Sequence, residues 1–206
     1  MLNLPADVHI KYLEKLCDQF YFNRFYNNGH GDEYFDIIYK DPKLNEIQNH
    51  EFLHQGTAVA NFIFNRLDYI LWKDCNNDPE IHLSKIEEKD QKFHQKFQDE
   101  FKNFKFTARN SVEHFYPQNP RNGEVLDSVD CFGNLCLITH GQNSSLNNQM
   151  PNDKKQDYLK STHRSVSIKQ MLMMTYENWS EKEIKEHGKA MIKLLNQHIC
   201  TTQSDA

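Results

Sequence analysis

Polar and apolar positions in the first hundred residues alternate with a helical period. Between Pro5 and Tyr26, the residues Val8, Tyr12, Leu16 and Phe20 recur at every fourth position, which predicts a helix with one apolar face turned to a core. Pro5 suits a first helical turn, and Asn27, Asn28 and Gly29 form a stop signal. Asp41-Pro42 reads as a cap followed by proline at the first helical position. It opens a long helical segment through Trp72 whose later part, TAVANFIFNRLDYILW, is apolar on almost every side and is expected at the centre of a bundle. Asp78-Pro79 marks a boundary, after which the charged segment from Ser84 to Phe104 places Phe93, Phe97, Phe101 and Phe104 on one side of a further amphipathic helix.

The pattern changes near Lys105. FTARNSVEHFYP is β-prone and ends at a proline, and VDCFGNLCLITH is a second β-type run with a glycine at its entrance. The loop NPRNGEVLDS lies between them, and the Asn-rich stretch after His140 leads into a helix around Asp153 to Lys160. The order is strand, loop, strand, loop, helix. The remainder is helical again: SIKQMLMMTY, then a last helix opened by a capping box in which Ser180 and Glu183 satisfy each other's backbone amides.

Composition narrows the class. With 206 residues, 12% aromatic and 38% hydrophobic, the chain is long and apolar enough to fold by itself. It has no apolar run of roughly 20 residues and no signal-peptide pattern, so a soluble, cytoplasmic protein is expected. Five scattered cysteines argue against a disulfide framework; Cys131 and Cys136, the one close pair, read as ordinary strand residues rather than a zinc site. The net charge of -5 speaks against a polyanion partner, but it is unevenly spread. Residues 1–100 carry 11 basic and 18 acidic groups, whereas residues 101–170 carry 9 and 6.

That mildly basic segment holds the candidate chemistry. Glu113 and the neutral oxygen of Asn143 are suited to one hard divalent cation with water positions left open. A cation there would neutralise charge on a phosphate while His114 takes a proton from an attacking water. Glu113 and His114 are neighbours and point apart in a regular strand; a bend before Pro117 would let them converge. Asn134 is placed to hold the His114 loop through its amide, and Lys154 or Lys155 to contact phosphate from the helix. Each residue also has a purely structural reading: a half-exposed strand histidine, turn asparagines satisfying their own backbones, a solvated lysine face.

Together, VEHFYPQ and DCFGNLCLITHGQNSSLNNQMPNDKKQDYL resemble the C-terminal nuclease domain of GmrSD-type restriction endonucleases, a branch of the HNH or His-Me finger superfamily. The matching positions are Glu113, His114, Pro117 and Gln118, then Gly133, Asn134, Leu135 and Leu137, then Asn143 and Asn148, then Lys154 and Tyr158. The resemblance implies an α+β fold: a mostly helical bundle (residues 1–104 and 163–206) around a small ββα-metal core (residues 105–162). It implies a metal-dependent DNA endonuclease of a modification-dependent anti-phage system, using one Mg²⁺ or Mn²⁺ ion. His114 would be the general base, Asn134 its orienting residue, Glu113 and Asn143 the metal site, and Lys154 a third catalytic group. Gln118, Asn148 and Lys155 would contact the substrate. Family members usually carry an N-terminal ParB-like nucleotide-binding sensor, which these residues do not contain, so a longer chain or a separate sensor subunit is expected. A non-catalytic helical docking module and a ribonuclease of the same fold are the alternatives.

Overall fold

The computed structural model describes residues 5–27, 29–78, 81, 91–139, 148–161, 166–197 and 199. The chain divides into two compact units, Met1–Phe52 with Leu195–Ala206, and Leu53–Leu194.

In the first unit, α1 (Ala6–Asn23) is followed by a 3₁₀ turn (Phe25–Asn27) and a short α2 (Tyr34–Tyr39). The predicted apolar stripe of α1 is not its buried face: Val8 is 42% and Tyr12 51% exposed, and Leu16 and Phe20 are half-buried. The buried side carries Asp18, Gln19, Tyr21, Phe22 and Asn23. The reason lies in hydrogen bonding. Asn23 donates from Nδ2 to the Lys43 carbonyl at 3.1 Å and accepts from the Asn45 amide at 3.0 Å, and Asp18 accepts from the Ile199 amide at 3.1 Å. Backbone groups of irregular segments need such partners when buried, and that need selects the face. Asp41-Pro42 opens no helix either. Asp41 has φ 48°, its carboxylate is held by Lys15 and Gln19, and it follows the end of α2. The chain then runs without an α-helix, through 3₁₀ turns at Glu51–Leu53 and Gly56–Ala58, to Asn61.

The second unit holds α3 (Asn61–Asn77), α4 (Gln91–Lys102), β1 (Ser111–His114), β2 (Leu135–Ile138), α5 (Pro151–Lys160), α6 (Ile168–Met173) and α7 (Glu181–Leu195, whose last residue falls in the first unit). Helix α3 buries Ile63, Phe64, Leu67, Ile70 and Leu71 and packs on β2 and α6. Helix α4 buries Phe93, Phe97 and Phe101, each contributing roughly 1.5–3 kcal/mol. Phe93 meets Tyr158 of α5 with ring centroids 6.0 Å apart, while Phe104 lies beyond the helix end.

The two strands are antiparallel, with His114 opposite Leu135 and Ser111 opposite Ile138. A two-stranded ladder is marginal alone. Here every residue of β2 is buried, and the helices supply the missing core. The turn into β2 is a 3₁₀ turn, Phe132–Asn134, pressed against α7: a Cβ on Gly133 would sit 2.0 Å from the Ile184 carbonyl oxygen. At the start of α7 the capping box differs from expectation. The Ser180 amide donates to the Glu183 carboxylate at 3.0 Å, but the Ser180 hydroxyl goes to the same carboxylate and not to the Glu183 amide. Among the described residues no helix is long and apolar enough to cross a membrane.

The architecture among the described residues is therefore a helix-rich mixed fold, compatible with α+β, with one small antiparallel sheet.

Candidate active site at the end of strand β1

Strand β1 stays regular through His114, so Glu113 and His114 turn to opposite faces and find different partners. The imidazole is buried, with Nε2 2.8 Å from Asp130 Oδ1. A carboxylate can only accept, so the neutral ring carries its proton on Nε2 and keeps its lone pair on Nδ1. Nδ1 has no partner among the described residues. Asp130 is 52% exposed at its side chain and also accepts from Gln118 Nε2 at 3.1 Å, which brings Gln118 to the same carboxylate oxygen.

Asp130 is held from its backbone as well. Its carbonyl accepts from the Gly56 amide at 3.2 Å, and a Cβ on Gly56, where φ is +55°, would come within 2.6 Å of Asp130 Oδ1. No side chain fits between the two. Sequence reasoning missed Asp130. The sequence held no signal for it: the strand register, which sets His114 opposite Leu135, is what brings the segment just before that turn alongside the histidine.

Asn134 is fully buried and uses its amide completely. Oδ1 accepts from the Tyr116 amide at 2.7 Å and from Trp179 Nε1 at 3.0 Å, while Nδ2 donates to the carbonyls of Tyr116 at 2.9 Å and Val129 at 2.8 Å. Its side chain fastens the strand just past His114 to the residue just before Asp130. The contact with the His114 ring itself belongs to Asp130.

Lys154 is 1% exposed. Its ammonium donates to the His114 carbonyl at 2.6 Å and lies 3.3 Å from Glu113 Oε1. Burial pulls its pKa down, against the opposing pull of Glu113. A phosphate contact requires an ammonium open to solvent, and this one is spent on the strand. It joins α5 to β1 and steadies Glu113. Lys155 is half-buried, with Nζ 4.8 Å from the centre of the Phe93 ring. Asn148 is exposed in the turn before α5, with no contact to this cluster, and Asn143 lies outside the described residues.

A second buried lysine supports the turn from behind. Lys169 Nζ donates to the carbonyls of Phe132 at 2.7 Å, Gly133 at 3.5 Å and Leu135, on both sides of Asn134. Burial lowers its pKa to about 7. Asp68, buried beside it, accepts from the Lys169 amide at 2.9 Å, and burial raises its carboxyl to about 6. Cys136 Sγ lies 3.8 Å from the Glu113 carbonyl, and burial pushes its thiol up to about 12, which makes it an inert core residue.

Glu181 anchors the approach to Asp130. Its carboxylate accepts from the Ser128 hydroxyl and, at 2.9 Å, from the Ser128 amide, and these bonds lower its pKa from 4.5 to about 2. A depressed carboxyl stabilises the fold above its unfolded pKa, and the contribution disappears as pH falls through the folded value. Glu181→Gln is therefore expected to flatten the loss of stability between pH 4.5 and pH 2, read as urea midpoints. A variant whose midpoints fall in parallel with those of the parent would exclude this anchor.

What the arrangement can do is bounded by its donors. Glu113 offers a carboxylate of which Oε1 faces Lys154 and Oε2 has no partner among the described residues, a donor suited to a hard cation but only one ligand. His114 offers a nitrogen lone pair held in direction by an acid. The profile of the family described as GmrSD restriction endonucleases, C-terminal domain, matches residues 41–194. Comparison with curated proteins and with solved structures returns no match.

Proposed function

Because the chain belongs to the GmrSD restriction endonuclease C-terminal domain family, with DNA as the implied substrate, we propose that it is an HNH-type, metal-dependent endonuclease with His114 as its general base. The observation that carries the reading is the His114–Asp130 pair, which leaves Nδ1 as the basic nitrogen at the end of β1.

In this reading water gives a proton to His114 Nδ1 as its oxygen attacks phosphorus. The P–O bond to the leaving sugar oxygen breaks, and that oxygen takes up a proton from solvent water. Asp130 keeps the reactive tautomer and stabilises the imidazolium, the role a carboxylate plays behind a catalytic histidine. Glu113 and Asn143 would hold one Mg²⁺ or Mn²⁺ ion. When bound, the ion supplies Lewis-acid stabilisation of charge on the phosphate and on the departing oxygen. Lys154 sets the position of Glu113 through its ion pair, in place of the phosphate contact expected from sequence. Gln118, tied to Asp130 yet exposed, is positioned to face the substrate strand, and Asn148 and Lys155 are further candidates for phosphate contact. A ParB-like module outside these residues would recognise the modified DNA.

One such site cuts one strand. Supercoiled plasmid with the purified chain and Mg²⁺ or Mn²⁺ is expected to give nicked circles first, with EDTA stopping the reaction. Calorimetric titration of Mn²⁺ is expected to give one saturable site that Glu113→Ala removes. Cleavage that persists in EDTA, or no cleavage with any divalent ion, would overturn the proposal.

A further inference from the structure

A cluster of aromatic side chains breaks the surface of the second unit. On α3, Tyr69 and Trp72 stack with ring centroids 5.9 Å apart and planes 28° from parallel. Phe106, from the segment between α4 and β1, closes on both, 6.1 Å from Tyr69 and 5.6 Å from Trp72, and Phe104 meets Phe106 edge-on at 5.0 Å. The cluster is anchored from below by Arg109, whose guanidinium lies 5.1 Å from the Phe104 ring and donates to the Val166 carbonyl at 3.1 Å. Among the described residues nothing covers it from above. Phe106 is 52% exposed, and Tyr69, Trp72 and Phe104 are half-buried.

The charged residues on the segment that carries Phe104 and Phe106 are basic. Residues 101–110, FKNFKFTARN, interleave aromatics with Lys102, Lys105 and Arg109 and contain no acid, and Lys102 and Lys105 are exposed. At 100° per residue, the α3 face bearing Tyr69 and Trp72 continues with Asn65, Lys73 and Asn76, while Asp74 falls on the far side. In a chain of net charge -5, exposed rings flanked by the exposed Lys102 and Lys105 suit an anion that carries flat rings. An apolar protein partner would need the rings but not the lysines.

We propose that Tyr69, Trp72, Phe104 and Phe106, with Lys102 and Lys105, form a platform that stacks unpaired bases of DNA. Base stacking on aromatic side chains combined with backbone contacts from cations is how single strands are held without sequence readout. The platform lies within reach of the cut. Asn61 Nδ2 donates to the Asn110 carbonyl, joining the start of α3 to the start of β1. From that junction Trp72 is about 17 Å along the helix and His114 about 13 Å along the strand. With the width of the junction added, their separation is no more than about 35 Å, about one turn of duplex. The platform would hold strand that has come apart beside the scissile phosphate. It deepens the endonuclease reading and rests on DNA being the substrate.

The test is equilibrium binding in EDTA, where no cleavage is needed. The full chain is titrated into a fluorescent 20-nucleotide single strand, its duplex and an RNA of the same sequence. Phe106→Ala is expected to weaken single-strand binding about 5- to 100-fold, with duplex affinity changed less than about twofold and the melting temperature kept. Phe106→Tyr should retain binding. Single-stranded DNA should also quench Trp72, the less buried of the two tryptophans, and Trp72→Phe should remove that signal. Equal single-strand affinity of the parent and Phe106→Ala, or tighter binding to RNA than to DNA, overturns the platform. Loss of stacking in Phe106→Ala in a chain that cuts no plasmid with any metal would retain the platform and remove the endonuclease.

Discussion

His114→Ala is expected to slow plasmid nicking by about 10²- to 10⁴-fold, the range of a lost general base, while the fold survives. His114 makes one side-chain bond, to a carboxylate that is itself half in solvent, so the substitution leaves no buried group stranded. Its melting temperature should fall by only a few degrees. Asp130→Asn is the sharper companion. The amide has nearly the shape of the carboxylate but can donate to Nε2, which moves the ring proton to Nδ1 and silences the base. Turnover should fall while KM is kept, since Asp130 acts through His114 and not on substrate in this reading. Single-turnover cleavage at saturating DNA, with circular dichroism as the check on folding, separates the outcomes. Full activity in His114→Ala would remove the histidine from the mechanism. Full activity in Asp130→Asn with none in His114→Ala would leave the base and discard the carboxylate.

Asn134→Ala is expected to be the most destabilising single change at the site, at about 4 kcal/mol. It strands the Tyr116 amide, the carbonyls of Tyr116 and Val129, and Trp179 Nε1, all packed in the second unit. For a chain of this size that corresponds to a drop of about 8–16 °C in melting temperature. Asn134→Asp should be no better, because it keeps the volume but points oxygen at two carbonyls. Activity should fall in both even well below the melting point, since Val129 positions Asp130. A loss of less than about 2 °C, measured by thermal denaturation, would mean that the four bonds are not cooperative with the fold. Asn134 was singled out from sequence as the residue that orients the base. The geometry separates two tasks: it fastens the backbone on either side, and Asp130 touches the ring.

Much of the candidate site was readable as order along the chain. The strand, loop, strand, loop, helix sequence appears as β1, β2 and α5, with Glu113 and His114 at the end of the first strand and Lys154 on the helix. Short-range patterns suffice for this, because β-branched runs, Gly-Asn turns and the Pro at a helix start act within a few residues. The failures are where a distant partner decides. Val8 and Tyr12 have the spacing of a core stripe, yet buried hydrogen bonds to residues 43, 45 and 199 turned the other face inward. Asp41-Pro42 looks like a helix start, but its carboxylate is held by Lys15 and Gln19 while its backbone takes a left-handed conformation.

The family, the helix-rich character and the residue types at the end of β1 were determined by the sequence itself, because they reside in local pattern. What only the tertiary structure decided is which groups meet. It put Asp130 on His114, turned Lys154 inward onto the strand, and set Lys169 behind the Asn134 turn. Those choices depend on the register of two short strands and on helices closing from far along the chain. A single sequence records the participants but not the pairings, since a carboxylate 16 residues away has no spacing that distinguishes it from any other surface acid until the fold brings it within 2.8 Å.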